Sequence, residues 1–532
     1  MIAHRRLTEA PGGPPAASGA RYWKQVLQSG LTGNTVEPLI DGAAAFTAMQ
    51  RAIESAQTKD HYIYLLGWWC DPWVNLTGPG TCLLDLFARA GQRGVQIRVL
   101  LWKPSFIFPN HKELHNAAVT ALNRLPGCHA QQDNAGLTRS HHQKLLVVNG
   151  RGGLVALCGG VDVNADRRHR LPPPRSAYRK DRPANLGWVG ASGSGAGATS
   201  AAATAAAASA ASGGSGGSGP TGSGEPLHDV HARVTGPSAL PLMRMFWRRW
   251  MARSGDRAID RKDPLRASFY PPVPRPTGSQ FARVGETFDG VLRPPGRAPF
   301  RSRAVDAQDI WLRSILAARS FIYIEEQYLI SDCAAEAIRT VLPRLEHVTI
   351  LIPPSGMTDL RGRWSRRLAF LEHITRGNPH AGKLHVYTRV AGPPQSCRRD
   401  TGPHLYVHAK MAVIDDELML IGSANMNNRG WETDSELVVA AWEDTPAGQI
   451  SRAKRLRTAL WSHHLGVPVA RLADPVRSRA LWDSAPGRHV CLYDPLADRD
   501  KRGLDGLVDP SDRRPDDPCC TLLPACPILR TA

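Results

Sequence analysis

Two triplets in this chain set an imidazole and an ammonium two residues apart: His142-Gln143-Lys144 and His408-Ala409-Lys410. Each sits in an apolar run that leads into a turn and a strand ending in small residues. The first reads HHQKLLVVNGRGGLVALCGGVD and the second VHAKMAVIDDELMLIGSAN. The chain has 19 His, 11 Lys and 55 Arg in 532 residues, so random placement would give roughly 0.4 such triplets. Lys stands at both places in a chain that prefers Arg. An ammonium is a compact charge, whereas a guanidinium is a wide planar fork. A tight pocket around one phosphate favours the former.

Cleaving a phosphodiester needs a nucleophile for phosphorus, an acid for the leaving oxygen and positive charge for the non-bridging oxygens. One His can attack and a second can donate the proton. Two fixed ammonium groups stabilise the charge. Nothing in that scheme calls for a metal or a cofactor. On a strand, residues two apart share a face, so each His projects with its Lys. Asn149 and Asp415, seven residues past each His, have the opposite parity. A structural role is expected for both. His141 faces away from His142 and is not expected to act.

The elements around the two triplets repeat. Strand-like YIYLLGWW, helix-like CLLDLFARA, strand-like VQIRVLLW and helix-like HKELHNAAVTAL precede the first. FIYIEEQYLI, AAEAIRTVL, VTILIPP, WSRRLAFLEHI and LHVYT precede the second in the same order. This alternation within an internal duplication predicts an α/β fold of two lobes. Each lobe is expected to hold a mixed β-sheet flanked by helices, with the active site at the lobe interface. Residues 1–35, rich in Pro, Gly and Ala, are expected to be flexible. The first lobe is placed at 36–252, with a low-complexity insertion of Gly, Ala and Ser at about 170–225. Leu242, Met245, Phe246 and Trp250 give its last helix an apolar face. An irregular connector is expected at 253–300, the second lobe at 301–465, and a tail of unassigned role at 466–532.

The net charge of +19 favours anionic partners, a phospholipid surface or nucleic acid. Ten scattered Cys show no recurring CxxC, which argues against a zinc site. Several lie in apolar runs and read as buried thiols. Cys519, Cys520 and Cys526 are candidates for pairing only in an oxidising compartment. The N-terminus lacks the apolar stretch of a secretory signal, and no run of 18 apolar residues occurs. The default location is therefore the cytoplasm, with export by a specialised route as the alternative.

These residues resemble the phospholipase D superfamily, whose signature is HxKxxxxD followed by Gly-Ser-x-Asn or Gly-Gly-x-Asp. The second copy matches at His408, Lys410, Asp415, Gly422, Ser423 and Asn425, and continues to Glu436. The first matches at His142, Lys144, Gly159, Gly160 and Asp162, with Asn149 in place of the usual Asp. GWWCDPW near Trp68, IYIEEQY near Glu325 and HDVHARVTGP near Asp229 also fit. The resemblance covers about residues 36–465 apart from the insertion. It implies a covalent phosphohistidine, with His142 assigned as nucleophile and His408 as acid and base. Lys144 and Lys410 would hold phosphate oxygens, with hydrogen bonds from Ser423 and Asn425. A carboxylate behind each imidazole fixes its tautomer. Glu436 fits one such place, and Asp229 is the candidate in the first half.

The substrate implied is a phospholipid at a membrane surface, with water or a primary alcohol as acceptor and the protein acting as a monomer. A cardiolipin-synthase-like phosphatidyltransferase is the first alternative. A nuclease, or a binding protein with a decayed first site, follows. Nucleic acid is the less favoured partner because only net charge supports it. Tryptophans 68, 69 and 73 read as packing at the lobe interface, or as the lining of a lipid pocket.

Overall fold

A computed structural model describes residues 19–104, 109–135, 139–167, 227–252, 272–292, 300–353, 363–390, 405–485, 487–494, 509 and 511–523, together with 298. The low-complexity insertion lies outside the described residues. So do residues 1–18, 253–271 and parts of the tail.

The strands of the first half are β1 (Leu31–Ile40), β2 (Tyr62–Gly67), β3 (Gln96–Trp102), β4 (Cys128–Asp133), β5 (Leu145–Gly150), β6 (Gly153–Gly159), β7 (Leu227–His228) and β8 (Val230–Thr235). Those of the second are β9 (Gln280–Leu292), β10 (Phe300–Val305), β11 (Phe321–Glu326), β12 (His347–Ile352), β13 (Leu384–Arg389), β14 (Tyr406–Val407), β15 (Lys410–Ile414), β16 (Leu418–Gly422), β17 (Glu436–Trp442) and β18 (Val490–Leu492). The first half orders its strands β1-β8-β6-β5-β2-β3-β4, and the second β9-β17-β16-β15-β11-β12-β13. The two orders are the same, which is the duplication made visible. Ile63 of β2 and Ile322 of β11 occupy matching strands.

Each half is a mixed sheet, as the sequence predicts, but the sheets are not separate. β1 pairs antiparallel with β9, at Leu31↔Ala282 and Asn34↔Gln280, and joins them into one sheet. Two expectations are thereby corrected. The segment read as flexible, 1–35, contains a helix, α1 (Gly19–Leu27), and the first residues of β1. Ala20, Trp23 and Leu27 of α1 are buried against the second half, and the Trp23 indole donates to Glu417 at 2.8 Å. Three apolar residues in a Pro- and Gly-rich setting are a weak periodic signal. The connector read as irregular, 253–300, contains the 13-residue β9. Its two glycines and charged residues hide its strand character. Gly285 is required there, because a Cβ would lie 2.6 Å from Ile310 Cδ1.

Central strands are buried on both faces, which explains their continuous apolar runs. Ile63 and Leu65 of β2 face the outer core of the first half, under α2 (Asp41–Ser55) and α3 (Leu83–Gln92). Tyr62, Tyr64 and Leu66 face a core that the halves share. In β15, Ala412 and Ile414 face the outer core of the second half, and Met411 and Val413 the shared one. α4 (Pro109–Leu122) lies on the first half, its Ala118 and Leu122 in the outer core. α5 (Ala239–Ala252) adds Leu242, Met245, Phe246 and Trp250 to the shared core, the apolar face expected from the sequence. α6 (Asp306–Leu316), α7 (Asp332–Val341) and α8 (Arg363–Thr375) cover the second half. α9 (Arg452–Leu465) brings Trp461 to the shared core.

The tail packs against the second half. Cys519 is disulfide-bonded to Cys333 of α7, a partner 186 residues away and not one of the neighbouring cysteines. Cys491 and Cys520 are disulfide-bonded too. Cys70, Cys82, Cys128 and Cys158 are buried free thiols, all in the first half. The Asp509 carboxylate accepts the backbone N–H groups of Asn428 and Arg429, and Arg513 pairs with Asp332 and Glu432. The tail thus braces the loop that follows Asn425. Closing so long a loop restricts the unfolded chain, so Cys519→Ser is expected to cost about 2–5 kcal/mol in guanidinium unfolding. A change under 0.5 kcal/mol would contradict this bracing.

Candidate active site

The His-x-Lys segments run into β5 and β15, each separated by two strands from the β1–β9 join. Each imidazole is held by the half to which it does not belong. His142 Nδ1 lies 2.7 Å from Glu436 Oε1, at the start of β17. His408 Nδ1 lies 2.7 Å from Asp229 Oδ2, between β7 and β8. The backbone repeats the exchange. The His142 N–H donates to the Ser435 carbonyl at 3.0 Å, and the His408 N–H to the His228 carbonyl at 2.8 Å. An Nδ1 facing a carboxylate carries the proton, which leaves Nε2 with its lone pair.

The Gly-Gly and Gly-Ser positions explain how the carboxylates fit. A Cβ on Gly160 would lie 1.9 Å from Asp229 Oδ1, so only Gly admits that carboxylate. The matching residue in the second half is Ser423. Its hydroxyl donates to Glu436 Oε2 and accepts from the Leu437 N–H at 3.1 Å. The resemblance gave Ser423 to the phosphate, whereas its hydroxyl is engaged with Glu436. Asn425 is buried, and among the described residues its Oδ1 has no hydrogen-bond donor.

Lys144 Nζ is 3.1 Å from Asp162 Oδ2 and 3.0 Å from the His142 carbonyl. Asp162 Oδ1 accepts the N–H groups of Trp68 and Trp69 at 3.1 Å each. Lys410 Nζ is 2.9 Å from Gln327 Oε1 and also bonds the His408 carbonyl. Trp68 packs edge-on to His142, with ring centroids 5.9 Å apart, and Lys144 Nζ lies 5.7 Å from its ring. Trp69 is buried and Trp73 exposed. The three tryptophans therefore differ in role, and only Trp68 borders the site.

Burial, with the charges of Lys144, Lys410 and Arg429, holds His142 well below the usual imidazole range. Burial, with Lys410, Arg167 and Lys144, does the same for His408. Each ring feels both lysines, so the four motif residues form one electrostatic unit. Burial raises the carboxyl groups of Glu436 and Asp229, which the lysines oppose. Burial lowers Lys410 to about 7. The cations gathered here oppose a proton on either ring, and a nearby anion would offset them.

Asp415 lies outside this unit. Its carboxylate accepts the N–H groups of Arg319, Ser320 and Phe321 at 2.8, 2.8 and 2.9 Å, at the entry to β11. The parity expectation and the structure agree here. Asn149 ends β5, opposite Tyr62 and Leu154, also on the far side of the motif. His141 is buried beside Asp133, 3.4 Å away, and faces Arg249 rather than the site.

Sequence reasoning passed over a second set of side chains. His228, Glu325 and His464 converge, as do Asp41, His228 and His463, with spacing that could hold a metal ion. The separations of 2.6 and 2.9 Å about Glu325 are hydrogen-bond lengths. A tetrahedral ion with bonds of about 2.0 Å would set its donors about 3.3 Å apart. Shared protons account for this cluster better than a metal. The signal was present in HDVHARV and IYIEEQY, but nothing in the sequence says that the two segments meet.

Asp415→Ala is expected to lose about 2–3 kcal/mol of stability, by calorimetry, because three N–H groups lose their acceptor. Turnover by the folded protein should stay within about threefold, because the carboxylate lies outside the motif cluster. A selective loss of turnover without destabilisation would contradict the structural role.

Known proteins bear on this geometry. The phospholipase D family profile matches residues 381–482, which contain His408, Lys410, Asp415, Ser423, Asn425 and Glu436. Phospholipase D alpha 1 of Cynara cardunculus is 24% identical, over 76% of this chain and 62% of its own. Phospholipase D alpha 3 of Arabidopsis thaliana is 23% identical over the same shares. The chain thus spans 62% of the length of these relatives. The crystal structure of phosphatidylserine synthase from Haemophilus influenzae Rd KW20 superposes with a TM-score of 0.51 at 11% identity. It covers 89% of this chain and 91% of that one, a likeness of fold. Two His-x-Lys motifs, the profile matched over residues 381–482 and these relatives together support a member of the phospholipase D superfamily.

Proposed function

We propose that this protein is a phospholipase D-type phosphodiesterase that hydrolyses glycerophospholipids and transfers their phosphatidyl group to alcohols. One observation carries the reading. Two imidazoles from opposite halves, each backed by a carboxylate of the other half, share a cluster of lysines. His142 Nε2 attacks phosphorus as the P–O bond to the headgroup breaks, and a proton on His408 Nε2 goes to the leaving alcohol. Neutral His408 then takes a proton from water or a primary alcohol. That oxygen attacks phosphorus, the P–N bond breaks, and His142 is restored. Lys144 and Lys410 hold the non-bridging oxygens. The His142 side chain is the more open of the two, 14% exposed against 6%, which favours it as nucleophile. Arrival of the anionic phosphate supplies the shift that lets His408 carry a proton.

The phospholipid substrate is drawn from the names of the relatives, phospholipases D alpha, and from the half-buried Trp68 at the site. A phosphatidyltransferase of cardiolipin-synthase type would use the same intermediate with an alcohol in place of water. Among the described residues no helix is long and apolar enough to cross a membrane, so contact with lipid would be at the surface. The disulfides favour the exported alternative over the cytoplasmic default, because disulfides persist in oxidising compartments.

The test is choline release from phosphatidylcholine vesicles, with ethanol added to read phosphatidyl transfer. Wild type is expected to do both, and His408→Ala to lose at least about 10³-fold in turnover, the scale of a lost general acid. Hydrolysis of DNA with no action on phosphatidylcholine would overturn the lipid assignment. Equal rates for wild type and His408→Ala would overturn the site.

A further inference from the structure

Behind His408 lies a buried network that the proposed chemistry does not use. His228 sets its imidazole between carboxylates from opposite halves, with Nδ1 2.8 Å from Asp41 Oδ1 and Nε2 2.6 Å from Glu325 Oε2. Both ring nitrogens face acceptors, so the ring satisfies both only as an imidazolium. Glu325 also accepts from the Tyr323 hydroxyl and lies 2.9 Å from His464 Nε2. His463 stacks on His228 at 6.0 Å and lies 3.7 Å from Asp41. His228, Glu325 and His464 are fully buried.

The same segment grips the active site. Leu227 and His228 pair in parallel with Tyr406 and Val407, and the His228 carbonyl accepts the His408 N–H. The next residue, Asp229, accepts from His408 Nδ1. Asp41 closes the circuit, its N–H donating to the Asp229 carbonyl at 2.8 Å. Asp41 has φ +65°, a left-handed conformation that costs a non-glycine residue about 1–3 kcal/mol and persists only where its surroundings impose it.

We propose that His228 is a positioning residue: a buried cation shared by the two halves that locks Leu227–Asp229 against His408 and keeps Asp229 ionised. The proposal rests on the reading of His408 as the acid and base. Burial pushes the Asp229 carboxyl up, while Lys410, Arg167 and His228 pull it down. Burial opposes charge on His228, but Glu325 and Asp41 outweigh it and raise the ring to about 10. Burial holds His463 and His464 below the usual imidazole range, so His228 is the charged ring of the three. Removing that charge leaves Asp229 to protonate at higher pH. The acid limb of the activity profile must then move toward alkaline pH. The network itself has the opposite sense. Its stabilisation is fully present below the unfolded imidazole pKa of about 6.5 and is lost as pH rises through about 10.

The test compares the full-length protein with His228→Gln, using bis(p-nitrophenyl) phosphate and phosphatidylcholine in parallel. The variant is expected to lose about 10–100-fold in kcat with KM within about threefold, and its acid limb should rise by about one pH unit. Where His228→Gln does not fold, Asp41→Asn gives the same comparison, since Asn tolerates a positive φ. ¹⁵N NMR of His408 reads the claim without turnover, and should show loss of the single Nδ1–H tautomer in either variant. An unmoved acid limb with an unchanged His408 tautomer would overturn the proposal. Failure of the lipid reading is separate: wild type would then cleave the simple diester and spare phosphatidylcholine.

Discussion

Two hydrogen bonds that cross between halves of one duplicated chain organise this molecule. His142 leans on Glu436, and His408 on Asp229, each 2.7 Å away. Neither half can complete its own imidazole. The β1–β9 pairing that fuses the sheets, the core shared beneath them and the strands that deliver His142 and His408 all serve this exchange. A duplicated fold supplies a near-symmetric site in this way. The proposed chemistry requires asymmetry, because one ring must attack while the other holds a proton. The asymmetry lies in the surroundings. Gly160 makes room for the Asp229 carboxylate, whereas Ser423 bonds Glu436. His228 stands behind one carboxylate and the disulfide-anchored tail braces the loop near the other.

Electrostatics decides when such a site works. Buried cations around buried imidazoles are unfavourable to one another, so burial and these charges hold both rings low and bring Lys410 to about 7. A phosphodiester, the proposed substrate, would bring negative charge to them. In the proposed reaction that charge favours a proton on His408, the acid, while His142 stays neutral to attack.

Much of this was legible in the sequence, and the reasons differ by residue. The His-x-Lys triplets, the repeated order of elements along the chain and the off-site parity of Asp415 were readable from pattern and spacing, since a strand alternates its faces. Glu436 and Asp229 were reachable as candidates, but which histidine each one backs is a matter of tertiary contact. β9 and α1 were missed because Gly, Pro and charged residues dilute their periodicity, and partners elsewhere in the chain hold them in place. Ser423 was placed at the site from the sequence, but that its hydroxyl bonds Glu436 is again a matter of tertiary contact. The tail was opaque for a similar reason. Cys519 lies beside Cys520 in the chain, yet its partner is Cys333.

The central claim is that His142, presented by one half and held by a carboxylate of the other, attacks phosphorus. Rapid mixing with phosphatidylcholine, followed by a neutral quench and peptide mass spectrometry, reads it directly. The account predicts a phosphatidyl adduct on the peptide that carries His142. An adduct on the His408 peptide, or none on either while product accumulates, would contradict it.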